Sequence, residues 1–191
     1  MAAERLPIHA GAVPSPPRRL RDIVAPGLRV LFMGINPSLT SARLGHHFAS
    51  PGNPFWRLLH AARLVSEPLT AQEDRRILEF GLGLTNLCPR PTRSAAELSS
   101  AELAAGARTL RRKIAAIRPA VVVPVGITVY ARLVPRSRSG GAGEKPETIA
   151  GAPLFVLPNP SGLNASYPGF QHKLVWFEAL REYLEGRGTE P

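Results

Sequence analysis

One cysteine, Cys88, in 191 residues leaves no partner for a disulfide within the chain. It also excludes a four-cysteine zinc or iron–sulfur site. Lysine is nearly as scarce, with 3 Lys against 21 Arg. No stretch approaches membrane-spanning length, and the first residues lack the apolar core of a signal peptide. The expectation is a soluble, cytoplasmic chain with no membrane partner. Acidic residues are few, 14 Asp and Glu, and the net charge is +10. Such an imbalance favours a polyanionic partner, because each phosphate neutralised releases a counterion. Biased codon usage would also enrich Arg and Pro, so charge alone does not choose between the two.

What is present reads as strands alternating with helices. Leu28–Met33 is a buried-strand run closed by the turn Gly34-Ile35-Asn36-Pro37. Residues 38–53 read as a long polar loop. A helix follows from about Pro54, with Asn53 placed to cap it. Thr70 with Glu73, and Ser99 with Glu102, form capping-box patterns that open two more helices, to about Phe80 and Arg118. Gly83–Leu87, Ala120–Val125 and Leu154–Leu157 read as further strands, and Ile127–Leu133 and Phe170–Leu184 as helices. Residues 135–147 read as a flexible, basic, glycine-rich excursion. There is no internal repeat. The pattern predicts a three-layer α/β/α sandwich around a mostly parallel four-stranded sheet. Its domain spans 27–186, after a mobile Pro/Arg-rich arm at 1–26 and before a frayed end at 187–191.

Two loops carry the chemistry. In a parallel sheet the loops after strand ends share one edge, where ligand sites form. The turn at 34–37 and Asn159-Pro160-Ser161-Gly162-Leu163 both occupy such positions. An Asn before Pro commonly serves only as a turn residue. Beside a second Asn-Pro loop, Asn36 becomes a candidate to orient a water, since a carboxamide donates and accepts but does not titrate. That suits cleavage of a bond whose leaving group departs readily, such as the N-glycosidic bond to uracil. Phe48 sits among small and polar residues without helix or strand period, so it reads either as core or as a platform for a flat base. Asn86, at a strand end, offers a paired donor and acceptor or merely caps a turn. His46-His47 lacks neighbouring ligands for a metal, and His47 reads as a hydrogen-bonding group for a phosphate or a base edge, or as loop structure. Leu163, at a glycine-flanked loop tip, could wedge into a base stack.

Several strings taken together resemble the mismatch-specific uracil/thymine DNA glycosylase family. They are Gly34-Ile35-Asn36-Pro37, Gly45-His46-His47-Phe48, Pro51-Gly52-Asn53-Pro54-Phe55-Trp56, Gly83-Leu84-Thr85-Asn86-Leu87, Arg90-Pro91-Thr92 and Leu157–Leu163. They occur in consistent order across residues 28–184. The resemblance implies a uracil-DNA-glycosylase-like fold acting on everted bases of duplex DNA, with no metal and no cofactor. It makes Asn36 the water-positioning catalytic residue and Phe48 the stacking platform, with the Ile35 and Phe48 amides near the base carbonyls. Asn86 would read the pyrimidine edge, with His47 and Ser41 as further base contacts. Asn159, Ser161, Gly162, Leu163 and Asn164 would form the DNA wedge loop. Three features depart from the family pattern: Ser38 in place of the usual Gly, Asn164-Ala165 where bacterial relatives place Ser-Arg, and the 135–147 stretch.

The expected function is therefore a monofunctional glycosylase of base-excision repair. It removes uracil, or thymine or another damaged base, from mismatched double-stranded DNA and leaves an abasic site. No Lys stands as a Schiff-base nucleophile. The expected state is a monomer in a prokaryotic cytoplasm, associated with the nucleoid. Two alternatives stand beside it: a glycosylase preferring xanthine or hypoxanthine, and a damaged-DNA binding module without catalysis.

Overall fold

Residues 19–135, 140–161 and 166–187 are described by a computed structural model. In chain order the elements are β1 (Val30–Gly34), α1 (Leu39–Leu44), α2 (Phe55–Ala61), a 3-10 helix (Ala71–Phe80), β2 (Leu82–Asn86) and a short 3-10 turn (Ala95–Glu97). There follow α3 (Ser100–Ile117), β3 (Val121–Pro124), α4 (Ile127–Leu133), β4 (Gly143–Ile149), β5 (Ala152–Val156) and α5 (Gln171–Arg187).

The sheet runs β2-β1-β3-β5-β4. The first four strands are parallel and β4 pairs antiparallel with β5. The parallel core of four matches the expectation, and a fifth strand is added at the edge. Alternate residues of β1 face opposite layers. Val30 and Phe32 join Phe55, Leu58, Leu59 and Phe177 on the side of α2 and α5. Leu31 and Met33 join Leu110, Ile114, Val122 and Val129 on the side of α3 and α4. Burial on both faces explains the unbroken apolar run, because neither face alternates with solvent.

Three local features differ from the sequence expectation. Residues 39–44, read as part of a polar loop, form α1. Ser38 caps this helix by accepting from Ser41 N at 3.0 Å, and Gly45 ends it at φ 79°. The helix from Ala71 is 3-10 with a break at Glu73, although Glu73 does accept from Thr70 N and Oγ1 as the capping pattern predicts. The 135–147 excursion contributes its last residues to β4. Pro146 is tolerated because β4 is an edge strand. Its inward lysine, Lys145, lies over the Tyr130 ring and donates to Gly140 O at 2.9 Å.

Of the N-terminal stretch, residues 19–26 are described and touch the domain. Ile23 exchanges two hydrogen bonds with Leu84, at 2.9 and 2.8 Å, along the outer edge of β2. Asp22 accepts from Thr85 Oγ1 and pairs with Lys113 of α3.

Helix α3 approaches the chain after β2 closely at Gly106, where a Cβ would stand 2.4 Å from the Leu87 carbonyl oxygen and 3.3 Å from Cys88 Sγ. Gly106→Ala is predicted to lower the unfolding free energy by about 1–3 kcal/mol through overpacking. This overrides the roughly 1 kcal/mol that alanine ordinarily gains inside a helix. Urea unfolding measures it, and a stabilised variant would contradict the close approach.

Candidate functional site

The parallel strands place their carboxyl ends along one edge, and β1 sits where the connections diverge. One connection leaves β1 for β2, and the next brings the chain back to β3 on the other flank of β1. Such a switch point opens a crevice beyond the strand ends. A cleft of about 610 Å³ lies there. Gly34 to Ser38 after β1, Asn86 at the end of β2, Val125 after β3 and Asn159 with Ser161 after β5 all line it. The remaining wall comes from Leu20, from Ser41, His47, Phe48 and residues 50–53, and from Arg93.

Asn36 is held by its nitrogen. Nδ2 donates to Thr92 Oγ1 at 2.6 Å, to Arg90 O at 2.9 Å and to Pro37 O at 3.3 Å. The Thr92 hydroxyl itself donates to Ser94 O at 2.8 Å, so it meets Asn36 with a lone pair. Turning the amide over would set Oδ1 against two carbonyl oxygens, so the orientation is determined by its surroundings. Oδ1 accepts no hydrogen bond among the described residues. Thr92 and the Arg90 carbonyl were not singled out by sequence reasoning beyond their place in a matching string. A Thr two residues after Arg90 in an irregular loop carries no periodic signal.

Asn86 is half-buried in the cleft wall, and its carboxamide makes no hydrogen bond among the described residues. The β1 glycine makes room for it: a Cβ on Gly34 would fall 2.6 Å from Asn86 Oδ1. The amide groups of Ile35 and Phe48 likewise donate to no partner among the described residues. The cleft thus collects several polar groups with no protein partner.

Phe48 stacks on Phe55, with ring centroids 3.8 Å apart and an 18° interplanar angle. Phe55 is locked edge-on against Phe32, Trp56 and Phe177. One face of Phe48 is thereby backed by a rigid aromatic. Its backbone is in the left-handed region, φ 53°, a conformation that costs a non-glycine residue about 1–3 kcal/mol. The preceding residue supplies the restraint. His47 N donates to buried Asp74 at 2.9 Å, His47 O accepts from Trp56 Nε1 at 3.1 Å, and His47 Nε2 donates to Arg21 O at 2.9 Å. His46 Nδ1 lies 3.2 Å from the same Asp74 carboxylate.

The sequence candidates are thus largely brought together. Ile35, Asn36, Ser41, His47, Phe48, Asn86, Asn159 and Ser161 share one cleft. Gly162, Leu163 and Asn164 lie outside the described residues. Ser41 is buried and its Oγ accepts from Ala49 N at 3.2 Å, so its hydroxyl pins the Phe48 loop. With Nε2 committed to Arg21, His47 presents only Nδ1 to a ligand. Ser161 N donates to Asn159 Oδ1 at 2.9 Å, a local turn at the root of the second loop.

Burial pushes the His47 imidazole below its ordinary value of 6.5, against the opposing pull of its bond to Arg21. A lowered folded-state value means that the unfolded chain binds the proton more readily. Stability from this group is therefore complete above about pH 6.5 and declines as pH falls below it. Urea unfolding between pH 7.5 and 5.5 is predicted to show this decline in the wild type and a shallower one in His47→Gln. Equal slopes would contradict the assignment.

The uracil DNA glycosylase superfamily model matches residues 21–184. Among solved structures, the solution NMR structure of a candidate uracil DNA glycosylase from Methanosarcina acetivorans is similar in fold, with a TM-score of 0.61 at 20% identity. The match covers 88% of this chain and 98% of that one. The chain belongs to the uracil DNA glycosylase superfamily, a membership that supports DNA glycosylase activity.

Proposed function

We propose that the protein is a monofunctional glycosylase of the mismatch-specific uracil/thymine branch. It acts as a monomer on double-stranded DNA, takes uracil out of a mismatch and leaves an abasic site. The observation that carries this reading is the Asn36 carboxamide, fixed by its nitrogen with Oδ1 left to a ligand in the cleft.

In this reading the target nucleotide leaves the duplex and its base enters the cleft. The base lies against the exposed face of Phe48, whose other face rests on Phe55. The Asn86 carboxamide pairs with the N–H and carbonyl of the pyrimidine edge, and the Ile35 and Phe48 amides donate to its carbonyl oxygens. These groups bind the departing base most strongly as it gains negative charge, which lowers the barrier. Asn36 Oδ1 accepts from a water and turns the water's lone pair toward C1′ of the sugar. The C1′–N1 bond breaks with its electron pair on the base, through an oxocarbenium-like state. Water oxygen then bonds to C1′, and its proton passes to the base or to solvent. Among the described residues no carboxylate lines the cleft to take that proton, so turnover should be modest. The wedge role of Gly162 and Leu163 rests on sequence alone, as does the contribution of Asn164.

A second reading keeps the reaction and changes the base. The edge that suits Asn86 in uracil recurs at N1–H and O6 of hypoxanthine and xanthine. A panel of duplexes bearing U, T, xanthine or hypoxanthine opposite G, scored by alkali-revealed abasic sites, tests both. Release of uracil fastest supports the proposal, and release of a purine fastest supports the second reading. Asn36→Ala is expected to slow release at least about a hundredfold, with mismatch binding retained. Wild-type protein that binds these duplexes without releasing any base would instead make it a damage-binding module.

A further inference from the structure

Among the described side chains lining the cleft, Arg93 alone carries a full charge at neutral pH, since burial holds His47 neutral. Among the described residues no Asp or Glu lines the cleft to balance it. The neighbouring Arg90 is already committed, its Nε 2.6 Å from Glu102 Oε1 and its Nη2 2.7 Å from Glu97 O. The carboxylate nearest in sequence, Glu97, is turned toward the backbone, where Oε1 accepts from Arg93 N at 3.1 Å and Ser94 N at 3.0 Å. The Arg93 guanidinium makes no hydrogen bond or ion pair among the described residues, and the residue is exposed. A guanidinium with no anion beside it, at a cleft with no carboxylate among its described lining residues, is suited to an anion that arrives with the ligand.

The root of this side chain is firmly held. Thr92 N donates to Pro37 O at 3.2 Å, and Thr92 bridges to Ser38 in parallel fashion. Glu97 fixes the next two amides. Arg93 follows Thr92, the residue that orients the Asn36 amide, and lines the same cleft. Beyond it, Ser94 lines an adjoining groove that shares Asn159 and Ser161 with the cleft and has no charged side chain among its described lining residues.

We infer that Arg93 forms a phosphodiester subsite: its guanidinium grips the non-bridging oxygens of a phosphate next to the everted nucleotide. This rests on the glycosylase reading and adds to it the group that binds the backbone at the point of chemistry. Arg93 contributes binding and placement of the sugar, while the bond-breaking step stays with Asn36 and the base contacts.

The test uses the full-length protein and a duplex with one uracil opposite G. The two phosphates flanking the uridine are replaced, one at a time, by a neutral methylphosphonate. Arg93→Gln is expected to bind the unmodified duplex about tenfold more weakly. The dependence of log affinity on log salt should fall by about 0.9. Wild-type protein should suffer a similar loss with the methylphosphonate at one flanking position, and Arg93→Gln should be insensitive to it there. Arg93→Lys should recover the salt dependence and part of the affinity. Losses that add, or an Arg93→Gln variant that binds like wild type, would overturn the subsite. So would slower base release with unchanged binding at every phosphate, which would assign the charge to the leaving base. An unchanged unfolding midpoint for Arg93→Gln confirms that binding, not folding, is read. Failure of wild-type protein to release uracil from the unmodified duplex would count against the glycosylase reading, while the binding comparison still decides the subsite.

Discussion

Three acceptors crowded around one nitrogen fix the geometry of this site. Arg90 O, Pro37 O and the Thr92 hydroxyl all address Asn36 Nδ2, and together they decide which end of the carboxamide is presented to the cleft. Each bond is modest by itself, since a net hydrogen bond contributes about 1 kcal/mol. Their combined effect on orientation is larger, because the reversed amide would face carbonyl oxygens with an oxygen. The loop after β2 therefore does the orienting for a residue that belongs to the loop after β1. That loop is held in turn by Leu87 N to Gly34 O and Cys88 N to Ile35 O, at 2.9 and 2.8 Å, which prolong the sheet beyond its last ladder residues.

The opposite wall stores strain. Phe48 takes a left-handed backbone, and the neighbouring His47 is anchored on three sides by Asp74, Trp56 and the Arg21 carbonyl. The reward for this arrangement is a ring backed face to face by Phe55, which is embedded in the core. A platform on a free loop would have to be ordered whenever a base arrived, and here that ordering is completed on folding. The arm residue Arg21 takes part through its carbonyl, so the N-terminal stretch, the sheet edge and the platform form one connected unit.

Much of this was legible in the sequence, and the parts that were not have physical reasons. The strands β1, β3 and β5 announce themselves because parallel strands covered on both faces are apolar throughout, whereas the edge strand β2, with Thr85 and Asn86, is marked by the Pro/Arg turn that follows it. The loops that follow them are marked by Gly, Asn and Pro, so the shared edge could be read from spacing alone. β4 was hidden because an edge strand with Lys145 as an inward residue and Pro146 within it lacks the expected alternation. α1 was hidden because its buried residues are only Ser41 and Ala42, a signature too small for a helical face. Within the site, Asn36, Phe48 and Asn86 stood out as unusual residues at strand ends, whereas Thr92 did not. Its part depends on a contact across 56 positions of sequence, which no local pattern encodes.

The account rests on orientation and not on basicity, and Asn36→Asp separates the two. A carboxylate is the stronger base, yet it offers no N–H to Arg90 O and Pro37 O and would be pushed away from them. Single-turnover release of uracil from a U·G duplex at neutral pH is the direct measurement. The account predicts that the aspartate variant is slower than wild type by about a hundredfold. A rate equal to or above that of the wild type would contradict it.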